Sequence, residues 1–215
     1  MDATAGVCLT RPGGFTRYRR DQRHEMTAGL ILAAGAGTRF GEQSKLLAPL
    51  EGRPLLEHAI RAQCGVPELE RIVVVLGAHA AGVLAAVEFG EAEPVICEHW
   101  RDGQAASLRC GVAALLDADK LIVTLGDEPL ITARVIARFL DQPGRTRAVY
   151  DGRPGHPVVL GVEQIRAVEA LVGDRGAREL LRDGPTIECA GLSSGRDVDT
   201  PEDLEAIRHE ARAIL

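Results

Sequence analysis

Gly29-Leu30-Ile31-Leu32-Ala33-Ala34-Gly35-Ala36-Gly37-Thr38-Arg39-Phe40-Gly41 decides the reading of the fold. The first five residues are a short apolar run, and Gly35, Gly37 and Gly41 follow it closely. A buried strand that opens into a glycine-rich loop has this form. Outward from it, short apolar runs alternate with longer amphipathic segments. Residues 54–64 are predicted helical, with Pro54 in the first turn, where a missing N–H costs nothing. Arg71-Ile72-Val73-Val74-Val75-Leu76 is apolar on both faces, as a parallel strand covered by helices must be. Further strands are predicted at 94–97, 121–125, 147–150, 158–160 and 186–189. Helices are predicted at 79–88, 104–116, 133–140, 163–171 and 174–182, and a last one is capped by Asp199-Thr200-Pro201. This alternation specifies an α/β fold, a mostly parallel sheet with helices on both faces. Ligands of such sheets bind outside the carboxyl ends of the strands. Chemistry is therefore expected at 34–41, 77–79, 98–103, 126–129 and 197–199.

The glycine spacing is G-x-G-x-x-x-G, one residue longer than the dinucleotide fingerprint. The second strand ends in Leu76-Gly77-Ala78-His79, without the carboxylate a ribose would need, and no Walker A motif is present. Two readings remain for the loop, a phosphate cradle built from backbone N–H groups or a plain tight turn. Lysine usage favours the cradle. Of 25 lysines and arginines only Lys45 and Lys120 are lysines, and Lys45 lies just past the loop, beyond Arg39. A compact ammonium kept where arginine serves elsewhere suits a phosphate clamp.

Asp127 follows the apolar run Leu121-Ile122-Val123-Thr124-Leu125, inside Gly126-Asp127-Glu128-Pro129. A carboxylate at the end of such a strand is hard to explain without a cation. Asp197 and Asp199 sit two apart and point the same way on an extended segment. One of them with Asp127 is expected to hold Mg²⁺ through oxygens. Taken alone, Asp199 reads equally well as part of a helix start.

The 215 residues are 46% hydrophobic and 26% charged, enough apolar material for a compact core. A net charge of -6 argues against nucleic acid as a partner. No apolar run is long enough to span a membrane. Cys8, Cys64, Cys97, Cys110 and Cys189 lie far apart with no C-x-x-C spacing, as isolated thiols of a cytoplasmic protein would. Residues 1–26 carry five arginines between Arg11 and Arg23. Arg19-Arg20 is followed by polar residues instead of an apolar stretch, so export is not expected. This segment reads as a disordered tail or an over-called start ahead of Met26, and 27–215 as one undivided domain.

Several stretches in order resemble one family. Leu32-Ala33-Ala34-Gly35-Ala36-Gly37-Thr38-Arg39-Phe40-Gly41 with Lys45-Leu46-Leu47 is similar to the signature of sugar-nucleotide and related nucleotidyltransferases. Trp100-Arg101-Asp102-Gly103 with Ser107-Leu108, then Gly126-Asp127-Glu128-Pro129, Gly155-His156-Pro157, 173–178 and Asp197-Val198-Asp199-Thr200-Pro201 resemble the molybdenum cofactor cytidylyltransferases, which are MobA/MocA-like. The resemblance implies a Rossmann-like fold of the nucleotide-diphospho-sugar transferase type. It also implies transfer of CMP from CTP to molybdopterin phosphate, with Mg²⁺ as cofactor and release of pyrophosphate. A molybdenum hydroxylase would receive the product. Carried over by residue, the nucleotide is expected against Leu32, Ala33, Ala34, Gly35, Gly37, Gly77, Ser107 and Gly126. Arg39 and Lys45 would hold the triphosphate, and Asp127 with Asp199 the metal. Gly155, His156, Asp174 and Arg178 would face the acceptor. Glu128 departs from the neutral or apolar residue usual between that aspartate and the proline. The Ala34 methyl is expected to narrow the base site and favour CTP over GTP. The rival readings are transfer of another nucleotide to a different small phosphate, a nicotinamide-dependent oxidoreductase, and a non-catalytic carrier of molybdenum cofactor.

Overall fold

The computed structural model describes residues 25–41, 43–175 and 177–215. The expected tail at 1–26 therefore lies outside the described residues, apart from Glu25 and Met26. β1 (Thr27–Ala33) is followed by the glycine loop and by single 3₁₀ turns at Thr38–Phe40 and Lys45–Leu47. The two-residue strands β2 (Pro49–Leu50) and β3 (Arg53–Pro54) pair as a small hairpin leading into α1 (Leu55–Cys64). Then come β4 (Arg71–Leu76), α2 (Ala80–Ala86), β5 (Glu93–Ile96), α3 (Gln104–Ala114) and β6 (Lys120–Leu125). The chain continues through α4 (Ala133–Ala137), β7 (Arg147–Tyr150), β8 (Arg153–Gly161), α5 (Val162–Ala167), β9 (Thr186–Glu188) and α6 (Pro201–Ile214).

The main sheet has the order β5-β4-β1-β6-β8-β7-β9. β1 pairs in parallel with β4 (Leu30 opposite Val73) and with β6 (Leu30 opposite Val123). β8 runs antiparallel to both β6 and β7, and β9 is parallel to β7. The expected mostly parallel sheet is therefore present. Alternation along the central strands feeds two separate cores, as period-2 geometry demands. Ile31, Val74 and Ile122 face α1 and α4, packing with Leu56, Ile60 and Phe139. Leu30, Val73, Val75 and Val123 face α3 and α5, packing with Leu108, Val112 and Ile165. A third cluster joins Leu50 and Leu55 to Val198, Leu204 and Ile207, and so seats α6 on the hairpin.

The helix expected at 174–182 does not form. A 3₁₀ turn at Gly173–Arg175 is followed by further turns. Gly173 is left-handed (φ 64°), and the glycine at 176 adds a second weak helix former. The carbonyls of Leu181 and Arg182 instead accept from Arg147 and Arg145. The segment expected helical at 163–171 divides into α5 and a 3₁₀ turn at Val168–Ala170. No described helix is long and apolar enough to cross a membrane.

Candidate active site

The carboxyl ends of β1 and β6 are neighbours, so the glycine loop and the Gly126–Pro129 turn are brought together by register alone. Gly37 adopts φ 60°, a left-handed conformation that a side chain would strain. A Cβ there would also sit 3.2 Å from Lys45 Cγ, so the loop folds directly onto the stem of that lysine. Gly126 is glycine for packing, since a Cβ would come within 2.9 Å of both Leu56 Cδ1 and Ala33 Cβ. The third component, 197–199, is tied in through its backbone: Val198 N–H donates to Asp127 O at 2.9 Å. Immediately afterwards the Thr200 side chain caps α6, accepting from Asp203 N–H at 3.2 Å.

This convergence builds a charge cluster. Lys45 Nζ lies 2.5 Å from Asp127 Oδ2 and 2.8 Å from Asp199 Oδ1. Arg39 Nη2 reaches Asp199 Oδ2 at 2.6 Å. Burial works against the charge on Lys45, but Asp127 and Asp199 hold its pKa above the usual lysine value. Burial also opposes ionisation of Asp199, and Lys45 with Arg39 overcomes it, holding that carboxyl low. Asp197 is pushed up, by burial and then by Asp199 and Asp127. Arg39 is largely exposed, free to swing toward a ligand at little cost.

A cleft of about 320 Å³ opens over these groups, lined by Leu32, Ala33, Gly35, Gly37, Thr38, Arg39, Lys45, Leu46, Gln104, Leu125, Asp127, Asp197 and Asp199. Nine of the residues singled out from the sequence are in that lining: Leu32, Ala33, Gly35, Gly37, Arg39, Lys45, Asp127, Asp197 and Asp199. Ala34 is not. It is buried and packs in the α3-side core, so its methyl does not narrow the cleft. Gly77 and Ser107 are outside that lining as well. A Cβ on Gly77 would meet Ala34 O at 2.5 Å and Trp100 Cβ at 2.7 Å, and Ser107 is buried on α3. Asp174 Oδ1 accepts from Gln104 N–H at 3.4 Å, which sets it beside the cleft at the start of α3. Arg178 is exposed in the turns that follow.

Gly155 and His156 come from β8. His156 Nδ1 is 3.0 Å from Glu128 Oε1, and a Cβ on Gly155 would sit 3.0 Å from the Tyr150 ring. Burial pushes the Glu128 carboxyl up despite His156. Burial pulls the His156 ring down, but Glu128, Asp127 and Asp197 carry it above its usual value. Gln104 had no sequence signal beyond following Gly103, and the Glu128–His156 pair spans 28 residues, outside any local motif.

A divalent cation fits the donor chemistry. Asp127 and Asp199 converge on one ammonium, so a single cation is within reach of both, and carboxylate oxygens suit a hard metal. Among the described residues no three His, Cys, Asp or Glu side chains form a ligating group. A cation here would complete its shell with phosphate oxygens and water.

Residues 29–189 match the model of the MobA-like NTP transferase domain. Nicotine blue oxidoreductase from Paenarthrobacter nicotinovorans is 36% identical over 191 residues, 82% of this chain and 93% of that protein. The bifunctional protein GlmU of Cereibacter sphaeroides is 37% identical over 65% of this chain, which spans 33% of that longer protein. Among solved structures, Rv0371c from Mycobacterium tuberculosis superimposes with a TM-score of 0.75 at 26% identity, covering 86% of this chain and 98% of that one. A complex of the same mycobacterial protein with manganese matches at 24% identity and a TM-score of 0.68. The family match takes in the glycine loop, Lys45 and Asp127, and the chain belongs to the MobA-like NTP transferase family.

Proposed function

We propose that this protein is a divalent-metal-dependent nucleotidyltransferase that moves CMP from CTP onto the phosphate of molybdopterin, the pterin of molybdenum cofactor. One observation carries the reaction class. A buried lysine beneath a glycine loop bridges two carboxylates, Asp127 after β6 and Asp199 just before α6, in an open cleft. The manganese complex of the mycobacterial relative and the carboxylate donors support metal use, with Mg²⁺ as the ion proposed. The choice of CTP and of a pterin phosphate rests on the resemblance of the 100–108, 126–129 and 155–157 segments.

The acceptor phosphate is already an anion, so no strong general base is needed. The work is alignment and charge neutralisation at the α-phosphate and the departing pyrophosphate. In this reading the backbone of Ala33 to Gly37 cradles the nucleotide. Lys45 and Arg39 turn their N–H donors from Asp199 to the triphosphate, where charge-assisted bonds are strong. Asp127 and Asp199 hold the cation, which when bound supplies further positive charge to the phosphate oxygens. Gly77, Ser107 and Gly126 complete the nucleotide-binding set that the resemblance implies. In this reading Gly155, His156, Asp174 and Arg178 face the acceptor, and the product passes to a molybdenum hydroxylase.

The test is pyrophosphate release with each of four nucleoside triphosphates against molybdopterin, sugar phosphates and polyol phosphates. Release with CTP and the pterin alone is expected. Release with another pair would replace the substrates, and release with none would overturn the reaction class. The name of the 36%-identical relative favours a second reading, hydride transfer from a nicotinamide dinucleotide. The end of β4 argues against it. No carboxylate follows Leu76, and Gly77 is closed in by Ala34 O and Trp100. Consumption of NADH or NADPH with a quinone acceptor, without pyrophosphate release, would decide for the second reading.

A further inference from the structure

Glu128 is a buried acid that the fold does not need. It is 4% exposed, and one of its oxygens, Oε2, is buried with no hydrogen-bond partner. A buried carboxyl with an unmet oxygen costs stability that an apolar side chain of similar size would not. Its one bond is to His156, from Nδ1 to Oε1 at 3.0 Å. The sheet register explains the meeting. β6 and β8 are antiparallel with Val123 opposite Val158, and continuing that register sets His156 opposite Leu125, just before the turn that carries Glu128.

His156 is held a second time through its backbone, where its carbonyl accepts from Tyr150 O–H at 2.7 Å. The side chain nonetheless stays 24% exposed. With Nδ1 engaged, Nε2 is the remaining polar ring atom, and no described protein group bonds it. Glu128 directly follows the cleft residue Asp127, so the pair it forms with His156 lies next to the cleft lining. With Nδ1 held by Glu128, a protonated ring presents Nε2–H away from that partner.

We propose that Glu128 is a positioning residue: it fixes His156 through Nδ1 so that Nε2 binds an anionic oxygen on the acceptor's phosphate. This rests on the transferase reading and adds how the acceptor is held. Nucleotide groups are gathered from β1, β6 and the 197–199 segment, whereas His156 enters from β8 on another side. Removing such an orienting carboxyl commonly costs about 10–100-fold in the function of the histidine it holds.

The experiment follows the imidazole ¹⁵N–¹H signals of the whole protein during titration with inorganic phosphate. The His156 signals are assigned by their loss in His156→Gln. At a pH where the ring is protonated in each protein, saturable movement of those signals is expected in wild type and, within about threefold in affinity, in Glu128→Gln, whose amide oxygen still accepts from Nδ1–H. In Glu128→Leu under the same conditions, phosphate binding should weaken at least about tenfold and the Nδ1–H signal should lose its hydrogen-bonded position. If Glu128→Leu does not fold, the contrast between Glu128→Gln and Glu128→Met carries the same expectation. Unmoved His156 signals in wild type, or equal movement in the leucine or methionine variant, overturns the proposal. Quenching of Trp100 by magnesium-CTP is read in the same samples. Its absence would count against the transferase reading, and an unresponsive His156 beside intact quenching would count against Glu128 alone.

Discussion

Gly77→Ala tests the packing just after β4. An ideal Cβ on Gly77 lies 2.5 Å from Ala34 O and 2.7 Å from both Cβ and Cγ of Trp100. Ordinary contact is about 3.5 Å, so the methyl overlaps both neighbours by about 1 Å. Ala34 O is held by Ala78 N–H at 3.1 Å and belongs to the strand end, so it cannot retreat. Trp100 must move, and because its Cβ is struck the backbone of 100–103 moves with it. Overpacking of this kind costs about 1–3 kcal/mol. For a chain of this size that corresponds to about 2–12 °C in melting temperature. Trp100 is the single tryptophan, so its emission reports the displacement directly. Gly35→Ala is the matched control. A Cβ there meets nothing within 4 Å, so melting should be unchanged while triphosphate binding weakens if the nucleotide runs along the loop. A Gly77→Ala protein with unaltered emission and melting temperature would refute the packing argument. Unaltered triphosphate affinity in Gly35→Ala would refute the placement of the nucleotide.

Asp127→Asn should abolish pyrophosphate release while leaving circular dichroism unchanged, since metal-borne charge stabilisation is worth several kcal/mol of barrier; retention of activity within about threefold would sink the metal assignment. Thr200→Ala removes the side-chain cap of α6 and should cost about 0.5–2 kcal/mol in urea unfolding, with Thr200→Ser recovering most of it. Cys110 is pushed up to about 11 by burial and by the Cys97 thiol beside it. Only the thiolate alkylates, so at pH 8 iodoacetamide should label Cys110 about 100-fold more slowly than a thiol at 9.0, its rate still climbing past pH 10; peptide mass mapping measures this. A chain begun at Met26 should keep its melting temperature and activity, because Met26 O already accepts from Asp119 N–H and Lys120 N–H at the start of β6.

What the sequence determined is what local chemistry dictates. The run Arg71–Leu76 could only be a strand buried on both faces, and it is strand β4 with the same limits. Asp199-Thr200-Pro201 carries its own cap chemistry, and α6 begins there. The scarcity of lysine singled out Lys45, and a carboxylate closing an apolar strand singled out Asp127, because each needs a charged partner that its neighbours in sequence do not supply. The partners were a matter of tertiary structure. Lys45 meets Asp199 across 154 residues only because the backbone of Val198 is tied to Asp127. The Ala34 methyl lies in the core and not in the cleft, since the side to which a strand-end residue points depends on how the chain leaves the sheet. The region 174–182 has enough helix formers to read as a helix, yet the carbonyls of Leu181 and Arg182 are taken by Arg147 on β7 and by Arg145 just before it. Periodicity and caps are properties of adjacent residues and can be read along the chain. Which charges neutralise one another depends on sheet register, and that is fixed only when the two cores close.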